Sequence, residues 1–399
     1  ILDLDERAAQ PMRSSCDRYV IVFNGEIYNF KDLRQDLERR GVRFRTSSDT
    51  EVILAMFARE GAAMLPKLHG MFAFVMWDTV SKRAFAARDP YGIKPLYFAK
   101  TSSGVLLASQ VKALLATGEV SRDPDPRGQA GFWMLGSVPE PNTWYRGIQS
   151  IPSGHSAWIE NGRMTEPICW FDIGTAWRDT PIEVLPDNKA QYRVRAALRE
   201  SVSRHLVADV PVGVFLSGGI DSGSLAGLMA ELGPRTIEGV TIAYDEFSAS
   251  HKDEAPVAET IANHYGIHHH VRWVGGEEFL ADMPAILDAM DQPSIDGINT
   301  WYASKAVAEH GFKVVISGVG GDELFQGYGH FKYLPSLVRS WRVLSSIPGV
   351  TGLGKLAGRI QANRTGKMRG GVMQQIGAER LVVPGGCVRV SMRQRSCLH

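Results

Sequence analysis

The sequence has almost no net charge, no long apolar run and few cysteines. Its 399 residues include 44 Lys and Arg against 43 Asp and Glu, a formal net charge of +1. A chain this close to neutral has no overall field to steer it onto nucleic acid or an acidic membrane. The longest apolar run, GMFAFVMW, falls far short of the roughly 20 residues that a membrane helix needs. We therefore expect no nucleic acid and no membrane among its partners.

The four cysteines, Cys16, Cys169, Cys387 and Cys397, are scattered along the chain. Their spacing forms neither a disulfide framework nor a CxxC metal site. The first residues show no basic segment followed by apolar and small residues, the pattern of a secretory signal. These features predict a location in a reducing cytoplasm.

Residues 1–172 mix short strand-like runs with two helical segments. The apolar run of residues 19–30 is broken by Asn24 and Gly25, and strand-like pieces follow the helices. The second helical segment, SSDTEVILAMFAREG, can be capped by Ser48 or Asp49. The pattern predicts a layered α+β domain. The apolar residues expected on the inner face of the second helix are Val52, Ile53, Met56 and Phe57.

Residues 173–190 form a polar segment with two prolines, which we interpret as a linker. After this segment, strands alternate with helices. PVGVFL, TIEGVTIAY and FKVVI predict strands. The helix DEAPVAETIANHYG places Val257, Ile261 and Tyr265 on one face. Such alternation predicts a parallel, doubly wound sheet in residues 191–399.

Two of these strands end in similar ways, VFLSGGIDS and VVISGVGGDE. In a parallel sheet both carboxyl ends lie at one edge, where ligands bind. Gly218 and Gly219 let backbone N–H groups converge, Ser217 and Ser222 add hydroxyls, and the next helix brings its positive end. These features predict a phosphate site. The alternative is a plain strand-to-helix turn in which Asp221 and Ser222 cap the helix.

An aspartate inside an anion site requires a cation. Asp221 fits if Mg²⁺ lies between its carboxylate and the phosphates, because Mg²⁺ favours carboxylate and phosphate oxygens. Asp322, which follows the second strand, is the second candidate ligand. The loop is neither a Walker A sequence nor GxGxxG. We therefore predict a nucleotide and Mg²⁺ at this edge.

The motifs resemble those of a known family. SGGIDS resembles the pyrophosphate loop of the ATP-pyrophosphatase superfamily, and SGVGGDELFQGY resembles the second signature of the asparagine synthetases. VFNGEIYNF, SSDTEVIL, GMFAFVMWD, ARDPYGIKPLYF and LASQVKALL resemble landmarks of that family's glutamine-hydrolysing domain, in the same order. The resemblance runs from Ile1 to about residue 335.

The resemblance implies a fold for each region. Residues 1–172 would form an N-terminal-nucleophile (class II glutamine amidotransferase) α+β sandwich. Residues 191–399 would form an α/β ATP-pyrophosphatase (adenine nucleotide alpha hydrolase-like) domain, truncated, with an unmatched tail from about residue 365. ATP and Mg²⁺ are the implied cofactors, with Asp221 and Asp322 as metal ligands. The implied ATP-binding residues are Leu216, Ser217, Gly218, Gly219, Asp221, Ser222, Ile242, Ser317 and Gly318. Two of them, Leu216 and Ile242, fit a place in the hydrophobic core equally well.

In the first domain, the resemblance implies a glutamine site formed by Asn24, Gly25, Glu26 and Asp49. The side-chain amide of Asn24 and the N–H of Gly25 would form a catalytic oxyanion hole, and Asp49 would take the α-amino group. Two other interpretations stay open. Asn-Gly is a strong hairpin-turn signal, and Asp49 can be a helix N-cap.

The family hydrolyses glutamine with the thiol of an N-terminal cysteine. This sequence starts with Ile1, and Cys16 lies where the family has nothing catalytic. We expect the nucleophile and the first strands to be absent from this chain, and glutamine hydrolysis by it to be lost. The basic segment after Arg364 is either an anion-binding tail or a frayed terminus.

Three further features bear on function. Val319 stands where asparagine synthetases carry an acid, so this position offers no base, and Gln110 replaces a glutamate. The histidines near residue 268 suggest either a metal site or a packed or solvated role. We expect the second, because the family has a similar His pair there without a metal. These histidines are His264, His268, His269 and His270.

The resemblance implies ATP-dependent amide formation from small-molecule substrates. The carboxylate of aspartate is the expected acceptor, which is adenylated and then attacked by ammonia from glutamine. One alternative is an amide-forming or β-lactam-forming synthetase of the same fold with another carboxylate, which Val319 would suit. Another is a non-catalytic fragment that binds a nucleotide or a partner. A homodimer is left open.

Overall fold

The computed structural model describes residues 2–181, 183–233 and 237–345. The chain divides into two compact units, and the boundary lies between Gly318 and Val319. The tail predicted from about residue 365 lies outside the described residues. Of the helices that are described, none combines the length and the apolar character needed to cross a bilayer.

The described residues form strands and helices along their whole length. In chain order, the strands are β1 (Met12–Arg13), β2 (Tyr19–Ile27), β3 (Gly70–Asp78), β4 (Arg83–Arg88), β5 (Tyr97–Lys100), β6 (Val105–Ala108), β7 (Ile148–Ser150), β8 (His155–Glu160), β9 (Arg163–Met164), β10 (Ile168–Cys169), β11 (Val212–Phe215), β12 (Glu238–Tyr244), β13 (His268–Val274) and β14 (Val314–Ile316). The α-helices are α1 (Phe30–Arg39), α2 (Asp49–Glu60), α3 (Val111–Ala116), α4 (Pro126–Leu135), α5 (Ile173–Asp179), α6 (Asp187–His205), α7 (Ile220–Leu232), α8 (Ala255–Tyr265), α9 (Gly276–Ala289), α10 (Gly297–Glu309), α11 (Gly321–Phe325) and α12 (Gly329–Ser345). Short 3-10 turns lie at Glu6–Ala8, Gly61–Lys67 and Asp245–Phe247.

The first domain is built on an antiparallel sheet with the order β1-β2-β3-β4-β8-β10, with β9 beside β8. A smaller antiparallel sheet has the order β6-β5-β7. The helices α1 and α2 contribute to one core cluster with the apolar residues of β2, β3 and β4. All four residues predicted for the inner face of α2 are buried in it. Burying one face of the sheet beneath helices confirms the predicted α+β layering.

Strand β2 differs from the prediction at Asn24 and Gly25. The strand runs unbroken from Tyr19 to Ile27 and pairs with β3 along its whole length, Gly25 opposite Phe72. The hairpin-turn interpretation of Asn-Gly is therefore wrong. A strand can carry a glycine where another backbone approaches closely. A Cβ at Gly25 would collide with the carbonyl oxygen of Met71 and lie 2.8 Å from the Cα of Phe72.

The second domain contains a parallel sheet with the order β13-β12-β11-β14. One core cluster joins β11 to α7 and α8, and another joins the ends of β12 and β13 to α9 and α10. Helices cover both faces, which confirms the doubly wound arrangement. The segment interpreted as a linker contains α5 and leads into α6.

Strand β13 was missed, because HHHVRWV carries too many polar residues to resemble a buried strand. The residues predicted for one face of α8 contact α7 and its loop, but Val257 and Tyr265 stay exposed, and the buried face of the helix is formed by alanines, Ala255, Ala258 and Ala262. Val257 lies 3.4 Å from a Cβ built on Gly218, and Ile261 lies 3.3 Å from one built on Gly223. Tyr265 would collide with any side chain at Gly227, its ring carbon being 2.8 Å away. The glycines of α7 thus let α8 approach closely.

The two domains are joined by a charged helix cap. Helix α3 of the first domain has no side-chain cap of its own. Asp291 of the second domain accepts the N–H of Val111 at 2.8 Å and that of Lys112 at 2.9 Å. The next residue, Gln292, accepts the N–H of Trp144 at 2.8 Å. A carboxylate on exposed N–H groups is the favourable charge for a helix N-terminus.

We predict that Asp291→Ala lowers the free energy of unfolding by about 1 kcal/mol, the usual loss for a helix cap. The measurement is urea denaturation of the purified chain. Asp288→Ala is the matched control, because Asp288 is exposed on the neighbouring α9. Equal stability of the two variants would show that the Asp291 contacts contribute nothing.

Candidate functional site

The edge of β2 that faces away from β3 gathers the predicted glutamine residues. Alternate residues of a strand direct their N–H groups to the same side. On this edge the N–H of Phe23 donates to Oε1 of Gln10 at 2.6 Å, and the N–H of Ile27 donates to Oδ2 of Asp49 at 2.9 Å. The N–H of Gly25 lies between them on the same edge. Since β1 pairs only with Val20 and Ile21, no strand of the described residues covers the edge at Gly25.

Asp49 is a buried carboxylate, 3% exposed. The N-cap of α2 is Ser48, whose hydroxyl accepts the N–H of Thr50 at 3.1 Å. Asp49 is the first helical residue, so the N-cap interpretation of Asp49 is wrong. Burial raises its pKa to about 6, the nearby Glu26 adds to the increase, and the N–H of Ile27 opposes it. An ammonium group beside Asp49 and Glu26 would relieve this unfavourable burial of negative charge.

The loop after β4 is held by two residues that the sequence analysis missed. The carboxylate of Asp89, fully buried, accepts N–H groups from Phe72, Tyr91, Ile93 and Lys94. The guanidinium of Arg88 donates to carbonyl oxygens of Lys94, Ile151 and Gly92, and it pairs with Glu140 at 2.7 Å. The motif ARDPYGIKP carried the signal, since a buried Arg-Asp pair before Pro and Gly organises a loop.

The loop between β11 and α7 has an uncapped helix N-terminus. The helix begins at Ile220, its N-cap is Gly219, and no side chain caps it. The interpretation of Asp221 and Ser222 as caps is therefore wrong. Gly218, Gly219 and Ile220 are exposed, and Asp221 is half-buried in the first turn. The free N–H groups of such a turn form a ready-made anion site.

Ser222 holds this loop closed from within. Its buried hydroxyl accepts the N–H of Ser217 at 3.1 Å and lies 2.8 Å from the hydroxyl of Ser217. It can donate to the carbonyl oxygen of Ser217 at 3.0 Å or of Gly219 at 3.1 Å. The structure thus gives Ser222 a role in shaping the loop, and a contact with phosphate stays a prediction.

The two loop glycines do not adopt left-handed backbone. Neither has a positive φ. A Cβ at Gly218 would make only ordinary contact, 3.4 Å from Val257, and one at Gly219 would lie 3.3 Å from the hydroxyl of Ser217. The fold therefore tolerates alanine at these positions with little adjustment. Room for a ligand above the backbone is the remaining reason for two glycines.

The second signature begins beside this loop. Parallel pairing sets Val214 of β11 against Ile316 of β14, so Ser317 and Gly318 leave the same edge of the sheet. A Cβ on Gly318 would lie 3.1 Å from the backbone nitrogen of Ser222 and 3.2 Å from Cβ of Asp221. The structure therefore brings Gly318 against the first turn of α7, as the sequence predicted.

Leu216 lies in the core, and Ile242 is half-buried beside it in the sheet. Leu216 is 3% exposed in the cluster of β11, α7 and α8, and its carbonyl oxygen accepts the hydroxyl of Thr241 at 2.7 Å. Ile242 packs against the cluster of Val274, Ile286 and Tyr302. Contact of either residue with adenosine stays a prediction.

The second unit contains Val319 and Asp322. Val319 is 92% exposed. Asp322 lies in the first turn of α11, half-buried, and its carboxylate occupies the space where a side chain of Gly327 would be. The position of Asp322 thus explains why residue 327 of the second signature is a glycine. The role of Asp322 as a metal ligand stays a prediction.

Cys16 lies in the turn between β1 and β2. Its pKa is lowered, chiefly by the hydroxyl of Ser14 at 3.4 Å. The turn precedes Tyr19, and five residues of extended strand, about 17 Å, separate Tyr19 from Asn24. This separation agrees with giving Cys16 no part in the site.

Comparisons with known proteins match both domains. The family model of the glutamine amidotransferase domain matches residues 1–170, and that of asparagine synthase matches residues 193–384. The second match extends well past residue 335, where recognisable motifs end. Together with the two sheets, these matches confirm the predicted fold class.

Three curated relatives are similar to most of this chain. A Mycobacterium bovis protein, provisionally named a glutamine-hydrolysing asparagine synthetase, is 38% identical over 83% of this chain and 53% of its own length. Glutamine-hydrolysing asparagine synthetase 1 of Bacillus subtilis is 34% identical over 87% of this chain and 53% of its own length. The amidase chyE of Penicillium rubens is 30% identical over 83% of this chain and 50% of its own length. The chain thus spans about half the length of these relatives.

We predict that Asp49 makes stability depend on pH. Its carboxyl ordinarily titrates near 3.8 and in the fold near 6. Between these values the folded state holds the proton that the unfolded state releases, so stability falls as pH rises and the loss is complete above about pH 6. The shift corresponds to a loss on the order of 3 kcal/mol.

Asp49→Asn should remove this dependence, because its amide oxygen can still accept the N–H of Ile27 without a charge. Unfolding free energies of both proteins, measured by denaturant titration across this pH range, should diverge in favour of the variant as pH rises. Asp32→Asn, at an exposed position of α1, is the control and should follow the wild type. Parallel pH profiles for wild type and Asp49→Asn would contradict the raised pKa.

Proposed function

We propose a function from the premise that this chain belongs to the glutamine-hydrolysing asparagine synthetase family. The function is ATP-dependent formation of an amide, with nitrogen drawn from glutamine. The observation that carries it is the uncapped N-terminus of α7, with its two exposed glycines and Asp221, at the carboxyl end of a parallel strand.

The pyrophosphate part of ATP is proposed to bind the free N–H groups of this turn and the hydroxyl of Ser217. Asp221 is proposed as a ligand of Mg²⁺, and Asp322 as the second ligand on the strength of the family motif alone. The carboxylate oxygens of both suit a hard cation. When bound, Mg²⁺ would neutralise the charge that develops on the leaving pyrophosphate.

The acceptor is proposed to be the side-chain carboxylate of aspartate. A carboxylate oxygen attacks the α-phosphorus of ATP, pyrophosphate leaves, and an acyl-adenylate forms. Ammonia then attacks the acyl carbon, AMP leaves, and a proton is lost to give the amide. The protein would supply the alignment of the two reactants, which alone can account for much of the acceleration.

Glutamine is proposed to bind along the open edge of β2. The N–H of Gly25 and the amide of Asn24, which is exposed, would donate to the oxyanion of the tetrahedral intermediate. Asp49 and Glu26 would accept the α-ammonium group. The separation along the strand supports this, because Gly25 and Ile27, which binds Asp49, are about 7 Å apart. A cytoplasmic location and a homodimer also stay predictions.

A second acceptor class is supported by Val319 and by the relative named an amidase. A position with valine in place of an acid provides no base for attacking ammonia. An apolar wall there would suit an amine or carboxylate less polar than ammonia and aspartate. Amide formation on another carboxylate, or β-lactam formation, is therefore the alternative.

We expect Asp221→Asn to weaken Mg²⁺-dependent ATP binding at least about tenfold, the low end for losing a metal-site partner. The measurement is isothermal titration calorimetry with ATP, with and without Mg²⁺. Glu231→Gln, at the far end of the same helix, is the control and should bind as the wild type does. An Asp221→Asn protein that binds MgATP normally would remove Asp221 from the metal site.

The acceptor can be tested at Val319. We expect Val319→Glu to raise ammonia-dependent asparagine formation at least about tenfold, the low end of general-base assistance. Val319→Gln introduces a side chain with nearly the shape of glutamate but without a base, so this variant should give no gain. The assay measures asparagine from aspartate, ATP and ammonium. Equal rates for wild type and both variants would show that another group takes the proton.

A further inference from the structure

A cluster of metal-ligating side chains lies at the amino ends of β12 and β13, apart from the sites described above. Parallel pairing sets Glu238 beside His268, and Val240 beside His270. Since side chains two apart share one face of a strand, Glu238, His268 and His270 lie on the same face. The sequence could not show this, because Glu238 precedes His268 by 30 residues and only the register of the strands unites them.

The three groups converge on one point. Oε2 of Glu238 lies 2.9 Å from Nδ1 of His268 and 2.8 Å from Nε2 of His270. One ligand atom from each of the three side chains lies within 4.8 Å of the other two. No other group of three such ligands occurs among the residues that the structure describes. Ligands about 2 Å from a shared ion lie at separations of this size.

The surroundings also favour a cation. The ring of His310, the C-cap of α10, lies 4.2 Å from the ring of His270. The C-terminal end of a helix carries the negative end of its dipole. His268 is exposed while His270 and Glu238 are half-buried, so the site is open to solvent on one side. Three protein ligands and an open side form the arrangement in which water completes the coordination of zinc.

In place of the packed or solvated role expected from the sequence for His268 and His270, we propose that Glu238, His268 and His270 bind a divalent transition metal, with Zn²⁺ the best fit. Two imidazoles and one carboxylate suit Zn²⁺ and its neighbours, whereas Mg²⁺ and Ca²⁺ prefer oxygen alone. On binding, the ion takes the place of these two hydrogen bonds, and each neutral ring coordinates it through the nitrogen that faces Glu238 and keeps its proton on the other nitrogen. The site is distinct from the nucleotide edge, since four residues of β12, about 13 Å, separate Glu238 from Ile242.

The proposal also accounts for the different behaviour of the neighbouring histidine. His269 points to the other face of β13, where its Nε2 lies 2.7 Å from the hydroxyl of Thr241. That hydroxyl donates to Leu216, so His269 has the packed role expected for it. His269 therefore differs from His268 and His270 both in the face of β13 that it occupies and in its role.

The test is a titration of the chelator-treated full chain with ZnCl₂, followed by competition with a chromogenic chelator. Co²⁺ is used in parallel, because its visible absorption reports nitrogen and oxygen ligands. We expect His268→Gln and Glu238→Gln each to lose one equivalent of bound Zn²⁺, or to weaken it at least about tenfold. His264→Gln is the matched control, since His264 is exposed on α8 outside the cluster, and it should bind as the wild type does.

Two readouts keep a folding defect apart from a lost ligand. His268 is 66% exposed at its side chain, so its substitution should leave the circular dichroism and the melting temperature without metal unchanged. Zn²⁺ should raise the melting temperature of the wild type and of His264→Gln but not of His268→Gln. Equal Zn²⁺ stoichiometry and affinity in the wild type and both cluster variants would overturn the proposal, as would a wild type that binds none. Zn²⁺ bound only by Cys387, Cys397 or His399 would persist in every variant, so that result would also count against the proposal.

Discussion

The parallel pairing of β11 with β14 is the constraint on which the proposed nucleotide site depends. It places two loops, separated by about a hundred residues of chain, at one edge of the sheet and presses Gly318 against the first turn of α7. The loop itself is kept in shape by the hydroxyl of Ser222, which binds backbone on both sides. Because these contacts use protein atoms only, the helix N-terminus is already formed and its N–H groups are free to face an anion.

The first domain contains a carboxylate whose burial is unfavourable. Asp49 is buried beside Glu26 and carries a raised pKa, which disfavours the folded state above about pH 6. A residue under selection for stability alone would be neutral at this position. Sites that receive a charged ligand commonly accept such a loss, which fits the proposed glutamine site on this strand edge.

The loops and the helices of the two domains were largely predictable. The apolar positions of α2 followed from their spacing, and the strands that end in SGGIDS and SGVGGDE followed from their β-branched residues, whereas the buried face of α8 is made of alanines that the spacing of its larger residues did not indicate. The turn that stayed open for Asn24-Gly25 does not form, because the pairing of β2 with β3 outweighs the local turn propensity. β13 was missed because its three histidines and an arginine mask a strand that tertiary contacts hold in place.

The sequence by itself determined the chemistry of the loops and the order of the elements, because glycines, serines and acids at fixed short spacing act through local geometry. It also carried the family motifs along most of the chain. Only the tertiary structure decided which distant residues meet. Asp291 caps a helix 180 residues away, and Glu238 joins two histidines across a strand pair. Such contacts depend on register and packing between elements, and no local pattern encodes them.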